Sequence, residues 1–296
     1  MRAAAPPFRS ALDLEPRGGG RFAASLGRAW TVGSKAHGGL LLALMVRAGL
    51  ARLSTEGSLA GPSIDAEGPL AGPSIGTDGQ EPDPLAIAAD FLRAPDAGPV
   101  ELHTEILKLG RTVSVVAIRL LQDERAMLAA TVTAGRLPED APQWADLPDV
   151  PAEPPADAID PATGTVFGLA GSCDLRFDHA TAAYARGETA PPVLRGWVRP
   201  RGEDPDPLFA LFAGDSLPPT VFNISGRVGW SPTVQLTGLL RARPAPGWLR
   251  LESRSMVVAG PWFDEDTTVV DAAGRLVCQA RQLALAPLVV DGRPLR

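Results

Sequence analysis

Histidine, cysteine and tyrosine are nearly missing from this chain of 296 residues, which holds three, two and one of them. His37, His103 and His179 are too few and too scattered for a histidine-rich metal site, so no bound metal is expected. Cys173 and Cys278 form neither a C-x-x-C pair nor a zinc signature. Such sparing use of thiols fits a reducing cytoplasm. Basic charge is also short, with 28 Lys and Arg against 34 Asp and Glu and a net charge of -6. That balance excludes the basic clusters of a nucleic-acid surface; a local basic pocket for a phosphorylated ligand remains allowed. The apolar run Leu40–Val46 is too short to cross a bilayer, and Met1–Pro16 has no apolar stretch of signal-peptide length. No membrane partner is expected. No Gly-x-Ser-x-Gly elbow is present, which argues against an α/β-hydrolase.

What is present starts with a 45% apolar composition and 21% charge, enough for one large core or two domains of ordinary size. Leu208–Pro219 groups Leu208, Phe209, Leu211 and Phe212 on one helical face, which predicts a short buried helix. Gly214 and the Pro218-Pro219 pair stop it. Asp215 therefore stands at the end of a core helix, where a carboxylate is costly to bury without a partner. The plainer role for it is to cap a turn with Ser216. Upstream, Gly38 and Gly39 open an apolar-all-round helix over Leu40–Leu50, a pattern that belongs in the middle of a core. These glycines either expose helix-start amides to an anion or carbonyl, or simply let the helix pack tightly. His37 alone reads as a residue leading into the helix.

In chain order, Arg21–Val32 reads as a strand ahead of this helix. Residues 54–84 stand apart as an expected flexible insertion, in which Glu-Gly-Ser-Leu-Ala-Gly-Pro-Ser-Ile at 56–64 recurs almost unchanged at 67–75. Strand patterns follow at Leu85–Arg93, Val100–Leu109, Val113–Leu121 and Met127–Ala134, separated by turn residues. Pro138–Pro161 is rich in Pro and acid and reads as a linker, with Trp144 expected to pin it. The second half has the same plan. Strands are expected at Thr165–Phe177 and Val193–Arg199, then the Leu208 helix, then Thr233–Arg241, Leu249–Val258, Thr267–Asp271 and Leu276–Leu285. An echo supports duplication: Phe91-Leu92-Arg93-Ala94-Pro95 against Leu239-Leu240-Arg241-Ala242-Arg243-Pro244. A long helix followed by consecutive antiparallel strands is an α+β unit, here expected twice.

Several of these segments match a known family. Gly38-Gly39, Phe91-Leu92-Arg93 and Leu109-Gly110-Arg111-Thr112-Val113-Ser114 resemble the first half of the double hotdog, TesB-like (type II) acyl-CoA thioesterases. Leu211–Asp215, Trp230-Ser231-Pro232-Thr233, Gly274-Arg275-Leu276-Val277 and Gln282-Leu283 resemble the second half in the same order. The resemblance implies an α+β tandem hotdog: two antiparallel sheets each wrapped on a central helix, 1–136 and 163–296, joined by a linker at 137–162. It implies hydrolysis of acyl-CoA without metal or organic cofactor. Carried over residue by residue, the water-holding trio is Asp215, Thr233 and Gln282, with Gly38 and Gly39 as candidate oxyanion and substrate contacts. The chemistry agrees with these residue types: a carboxylate takes a proton from water, while hydroxyl and amide groups aim it.

Departures and alternatives remain at this level. Where some bacterial members carry a His just before Phe-Leu-Arg, this chain has Ala88 and Ala89. Gln279 competes with Gln282 for the amide role, and Thr233 is also an ordinary strand-start residue. Arg241, Arg243 and Arg281 are candidates for CoA phosphates or for plain solvation. A second reading is a hotdog that binds acyl-CoA without turnover. A hydratase lacks its His-bearing motif here, and Cys278 has no His partner for thiol chemistry. Fused hotdogs often associate further, so a homo-oligomer is open.

Overall fold

The apolar run behind Gly38 and Gly39 folds as α1 (Gly38–Gly57). Leu40, Leu41, Leu42, Leu44, Met45 and Val46 are each at most 1% exposed. By length and composition the helix would cross a bilayer, yet 67% of its apolar window is buried within the protein itself. The computed structural model describes residues 7–57, 81–161, 168–226, 228–287, 289–290 and 293–294. Most of the expected insertion, including nearly all of both copies of its repeat, lies outside the described residues.

Before α1 come β1 (Glu15–Gly18), β2 (Arg21–Leu26), β3 (Thr31–Val32) and β4 (Lys35–Ala36). After it come β5 (Asp83–Phe91), β6 (Gly98–Lys108), β7 (Ser114–Gln122) and β8 (Arg125–Gly135). The second half supplies β9 (Cys173–Phe177), β10 (Val193–Pro200), α2 (Pro207–Ala213) and α3 (Val221–Ser225). It continues with β11 (Thr233–Leu240), β12 (Leu249–Arg254), β13 (Val258–Ala259), β14 (Trp262–Val270) and β15 (Leu276–Leu285). Alternating burial in most of the long strands places one face on the helices, as in β14 and β15.

The architecture is α+β, with one antiparallel sheet of 13 strands. This differs from the expectation of two separate sheets. Gln235–Leu239 of β11 pair with Asp90–Ala86 of β5, so the two halves satisfy each other's edge and merge. Outward from β5 lie β8, β7, β6, β2 and β1; outward from β11 lie β15, β14, β12, β10 and β9. The connections are the same on both sides. The echoed Phe91 and Leu239 segments sit at the ends of these two central strands.

The second helix is short, as Gly214 and the Pro218-Pro219 pair lead one to expect, so only one of the two halves has a long central helix. α2 has 7 residues against 20 in α1. Asp206 caps its start by accepting from the Phe209 N–H at 2.8 Å, and Gly214 ends it. Phe8, Trp30, Phe209 and Phe212 form an edge-to-face cluster that ties the N-terminus and α2 together. Strand limits shift where turns intervene. Arg21–Val32 stops as β2 at Leu26 before a 3-10 turn. Of the expected Thr165–Phe177 strand, 165–167 lie outside the described residues, Gly168–Gly171 form a 3-10 turn, and β9 follows. β14 begins at Trp262, five residues earlier than expected.

Trp144 does not pin the linker, being 80% exposed. Val150 does so by packing on Trp197 and Trp248, and the Trp197 Nε1–H donates to the Pro151 carbonyl at 2.8 Å. At the β7–β8 hairpin, Asp123 and Glu124 both hold left-handed φ, 50° and 60°, the geometry of a type I′ turn. Replacing Glu124 with glycine should raise stability by about 0.5–1 kcal/mol by relieving that strain, read as a higher denaturant midpoint with an unchanged slope.

Candidate active site

The end of α2 and the start of α1 meet back to back. A methyl group built on Gly39 would stand 2.7 Å from the Phe212 carbonyl oxygen, and one on Gly38 would stand 2.6 Å from Asp215 Oδ2. Only glycine permits this approach. The Gly39 N–H donates to Asp215 Oδ2 at 2.7 Å, so the carboxylate lies on the positive end of a 20-residue helix. Both readings of the glycine pair therefore apply: it packs tightly and it offers an amide, but to Asp215. The alternative turn-capping role for Asp215 does not appear. Ser216 hydrogen-bonds the Ala213 carbonyl instead, at 2.9 Å.

Asp215 keeps only 12% of its side chain exposed. Burial pushes its pKa up to about 7, against the pull of the Gly39 amide. His37 Nε2–H donates to the Asp215 carbonyl at 2.9 Å. Burial drives the imidazole down to about 4, so it is neutral at pH 7 and serves as a brace for the backbone.

Thr233 and Gln282 meet from neighbouring strands. The Thr233 hydroxyl donates to Gln282 Oε1 at 2.8 Å, and the Gln282 Nε2–H donates to Glu265 Oε1 at 3.0 Å. The other oxygen, Glu265 Oε2, accepts the Thr220 N–H at 2.7 Å. Thr220 Oγ1 and Ser255 Oγ are 2.6 Å apart. A hydrogen-bonded chain thus runs from β11 through β15 and β14 to the segment following Asp215. Glu265 is 3% exposed. Its pKa is raised to about 7, first by burial and also by the negative charge of Asp215. Glu265 thus joins the Thr233–Gln282 pair to the segment that follows Asp215, and lies near enough to Asp215 for their charges to interact.

Family models described as the acyl-CoA thioesterase N-terminal and C-terminal domains match residues 26–135 and 138–286. The chain belongs to the acyl-CoA thioesterase family. It is 38% identical over 289 residues to an uncharacterized protein of Mycobacterium tuberculosis, covering 90% of this chain and 91% of the relative. A solved structure assigned as a thioesterase II, from Thermobifida fusca, is 32% identical with a TM-score of 0.76, covering 94% of this chain and 98% of that one. A hot dog fold protein from Alicyclobacillus acidocaldarius shares the fold at 20% identity and a TM-score of 0.74, covering 96% and 98%. The chain is a thioester hydrolase of that family.

Within the thioesterase, strand parity separates the two glutamines. Gln279 is exposed on the outer face, whereas Gln282, three residues on, is buried. The arginines considered for CoA are held elsewhere or exposed. Arg281 forks onto Asp266, at 2.6 Å for the Nη2–Oδ2 contact; Arg243 pairs with Asp83; Arg241 is exposed. Glu265 was not anticipated, because the expected strand began at Thr267. Extended back to Trp262, the same alternation puts Glu265 on the inner face with Phe263 and Thr267.

Proposed function

We propose that the thioesterase hydrolyses acyl-CoA by a water that Asp215 activates, with Thr233 and Gln282 aiming it and no covalent enzyme intermediate. The observation that carries this reading is a single one: Glu265 bridges the Thr233–Gln282 pair to the segment that follows a buried Asp215, itself held on the Gly39 amide. An ionised Asp215 takes a proton from water as its oxygen bonds to the thioester carbon. The carbonyl oxygen becomes an oxyanion. We assign its stabilisation to the start of α1, with the Gly38 N–H as donor, because Gly39 already serves Asp215. Collapse breaks the C–S bond, and Asp215 returns its proton to the CoA thiolate.

The reading carries an arrangement with it. Residues 1–136 and 163–296 are two hotdog units fused in one chain through the linker at 137–162, supported by the repeated strand connections around β5 and β11. The proposed location is the cytoplasm, in keeping with two free buried cysteines. A second copy of the chain is a proposed partner, with the outer strand β1 as the edge for pairing, since Ile159 already hydrogen-bonds Phe177 on the outer side of β9.

Incubation with acyl-CoAs of graded chain length, with a thiol reagent following free CoA, tests this directly. Release of thiol and acid in equal amounts is expected. Saturable binding of acyl-CoA with no thiol release would replace hydrolysis with a ligand-binding role.

A further inference from the structure

We propose that Glu265 is a second carboxylate of this site, a positioning residue that orients Gln282 and Thr233 and faces Asp215 as a second acidic group. This rests on the hydrolytic reading above. Three observations carry it. Among the described residues Glu265 meets no cation; both of its oxygens accept from uncharged donors, the Gln282 amide and the Thr220 N–H. A buried carboxylate so held is expensive, and a purely structural role here would be served as well by an uncharged acceptor. Its place in the chain of bonds also decides direction. With Nε2 of Gln282 directed to Glu265, Oε1 must face Thr233 and take its proton. The lone pairs of Thr233 are then left to accept from a water, which leaves that water's oxygen free to attack. Thirdly, Thr220 follows Asp215 by five residues, so the Thr220–Glu265 bond ties the Asp215 segment to the strand beside Gln282.

Glu265 faces few other charges. From the end of α2 comes Asp215, with neutral His37 behind it at the start of α1. The β12 side presents Ser253 and Ser255, β15 presents Gln282, and the segment after α2 presents Thr220. Asp264 and Asp266, its neighbours on β14, lie on the opposite face. There they hold the Met256 and Val257 amides and Arg281. The charge that Glu265 exchanges is therefore with Asp215. Two like charges in one buried site repel, so ionisation of the pair occurs in two steps.

Glu265→Gln is the test, with Asp215→Asn run beside it. The expected result is a kcat plateau lower by about tenfold, the loss of one hydrogen bond to a charged acceptor. The acid limb of kcat/KM should also move down, because the repulsion that raises Glu265 against Asp215 acts on both members of the pair. Gln282→Ala with Glu265→Gln separates the two roles: the pH shift should persist in the double variant while the plateau falls no further than in Gln282→Ala alone. Thermal melts establish that each variant is folded, and Glu265→Asp, which keeps the charge, should restore the wild-type pH limb even where its plateau stays low. An unmoved acid limb in Glu265→Gln, with Asp215→Asn inactive, would overturn the role of Glu265 and leave the hydrolytic reading standing. Full activity in Asp215→Asn would remove that reading itself.

Discussion

Asp215→Asn should lower acyl-CoA hydrolysis by about a hundredfold or more, the usual contribution of a general base, while leaving the fold intact. The asparagine carbonyl can still accept the Gly39 N–H, so the contact between α1 and the end of α2 survives. What disappears is the ability to hold a proton during attack. In the wild type, activity should rise with pH through about 7, since burial places the Asp215 pKa there and only the ionised form can act. Glu265 titrates in the same range, so the observed midpoint belongs to the pair. A variant that retained wild-type turnover would show that the carboxylate is not the base.

The same substitution has a second, opposite consequence for stability. Asp215 and Glu265 are raised from 3.8 and 4.5 to about 7 in the folded protein. Between those values the fold binds protons that the unfolded chain has released. Stability therefore falls as pH climbs from about 4 through about 7, when the buried groups ionise. Asp215→Asn removes its share of that loss. It should be the less active protein and, at pH 8, the more stable one, the two denaturation midpoints converging near pH 4. Such a trade is expected where a group is held in a costly state for its chemistry.

Gly39→Ala has the largest expected effect on the fold. Its methyl group would lie 2.7 Å from the Phe212 carbonyl oxygen and 3.0 Å from the Phe212 Cα, and neither backbone atom can step aside cheaply. Overpacking of this kind costs about 1–3 kcal/mol, more than alanine's gain in helix propensity at a first turn. Gly38→Ala makes the informative comparison. There the nearest atom is Asp215 Oδ2 at 2.6 Å, with the Phe91 ring at 3.5 Å, so a side chain can rotate instead. Gly38→Ala should lose activity with a modest change in denaturant midpoint, whereas Gly39→Ala should lose both. Equal stability in the two variants would contradict the packing described at this junction.

Much of this was legible along the chain. Apolar-all-round Leu40–Leu50 can only be a core helix, and the alternation of β6, β7, β8 and β15 shows to within a few residues where each strand lies. The duplication shows in the order of the elements. The shortness of α2 was legible too, in Gly214 and the Pro218-Pro219 pair. Glu265 lies just outside the expected Thr267–Asp271 strand, so its inward direction shows only once that strand is extended to Trp262.

Local sequence pattern establishes most of the helices and strands and the inward side of the long strands, because those follow from periods of 3.6 and 2 that any local stretch carries. It also determined the family, since the order of short motifs survives in one dimension. The joining of the halves into one sheet, the gift of the Gly39 amide to Asp215 and the completion of the polar chain by Glu265 emerge from packing. Each depends on residues far apart in sequence meeting across packed elements, where burial and a neighbour's charge, neither of them written in any local pattern, decide how a carboxylate behaves.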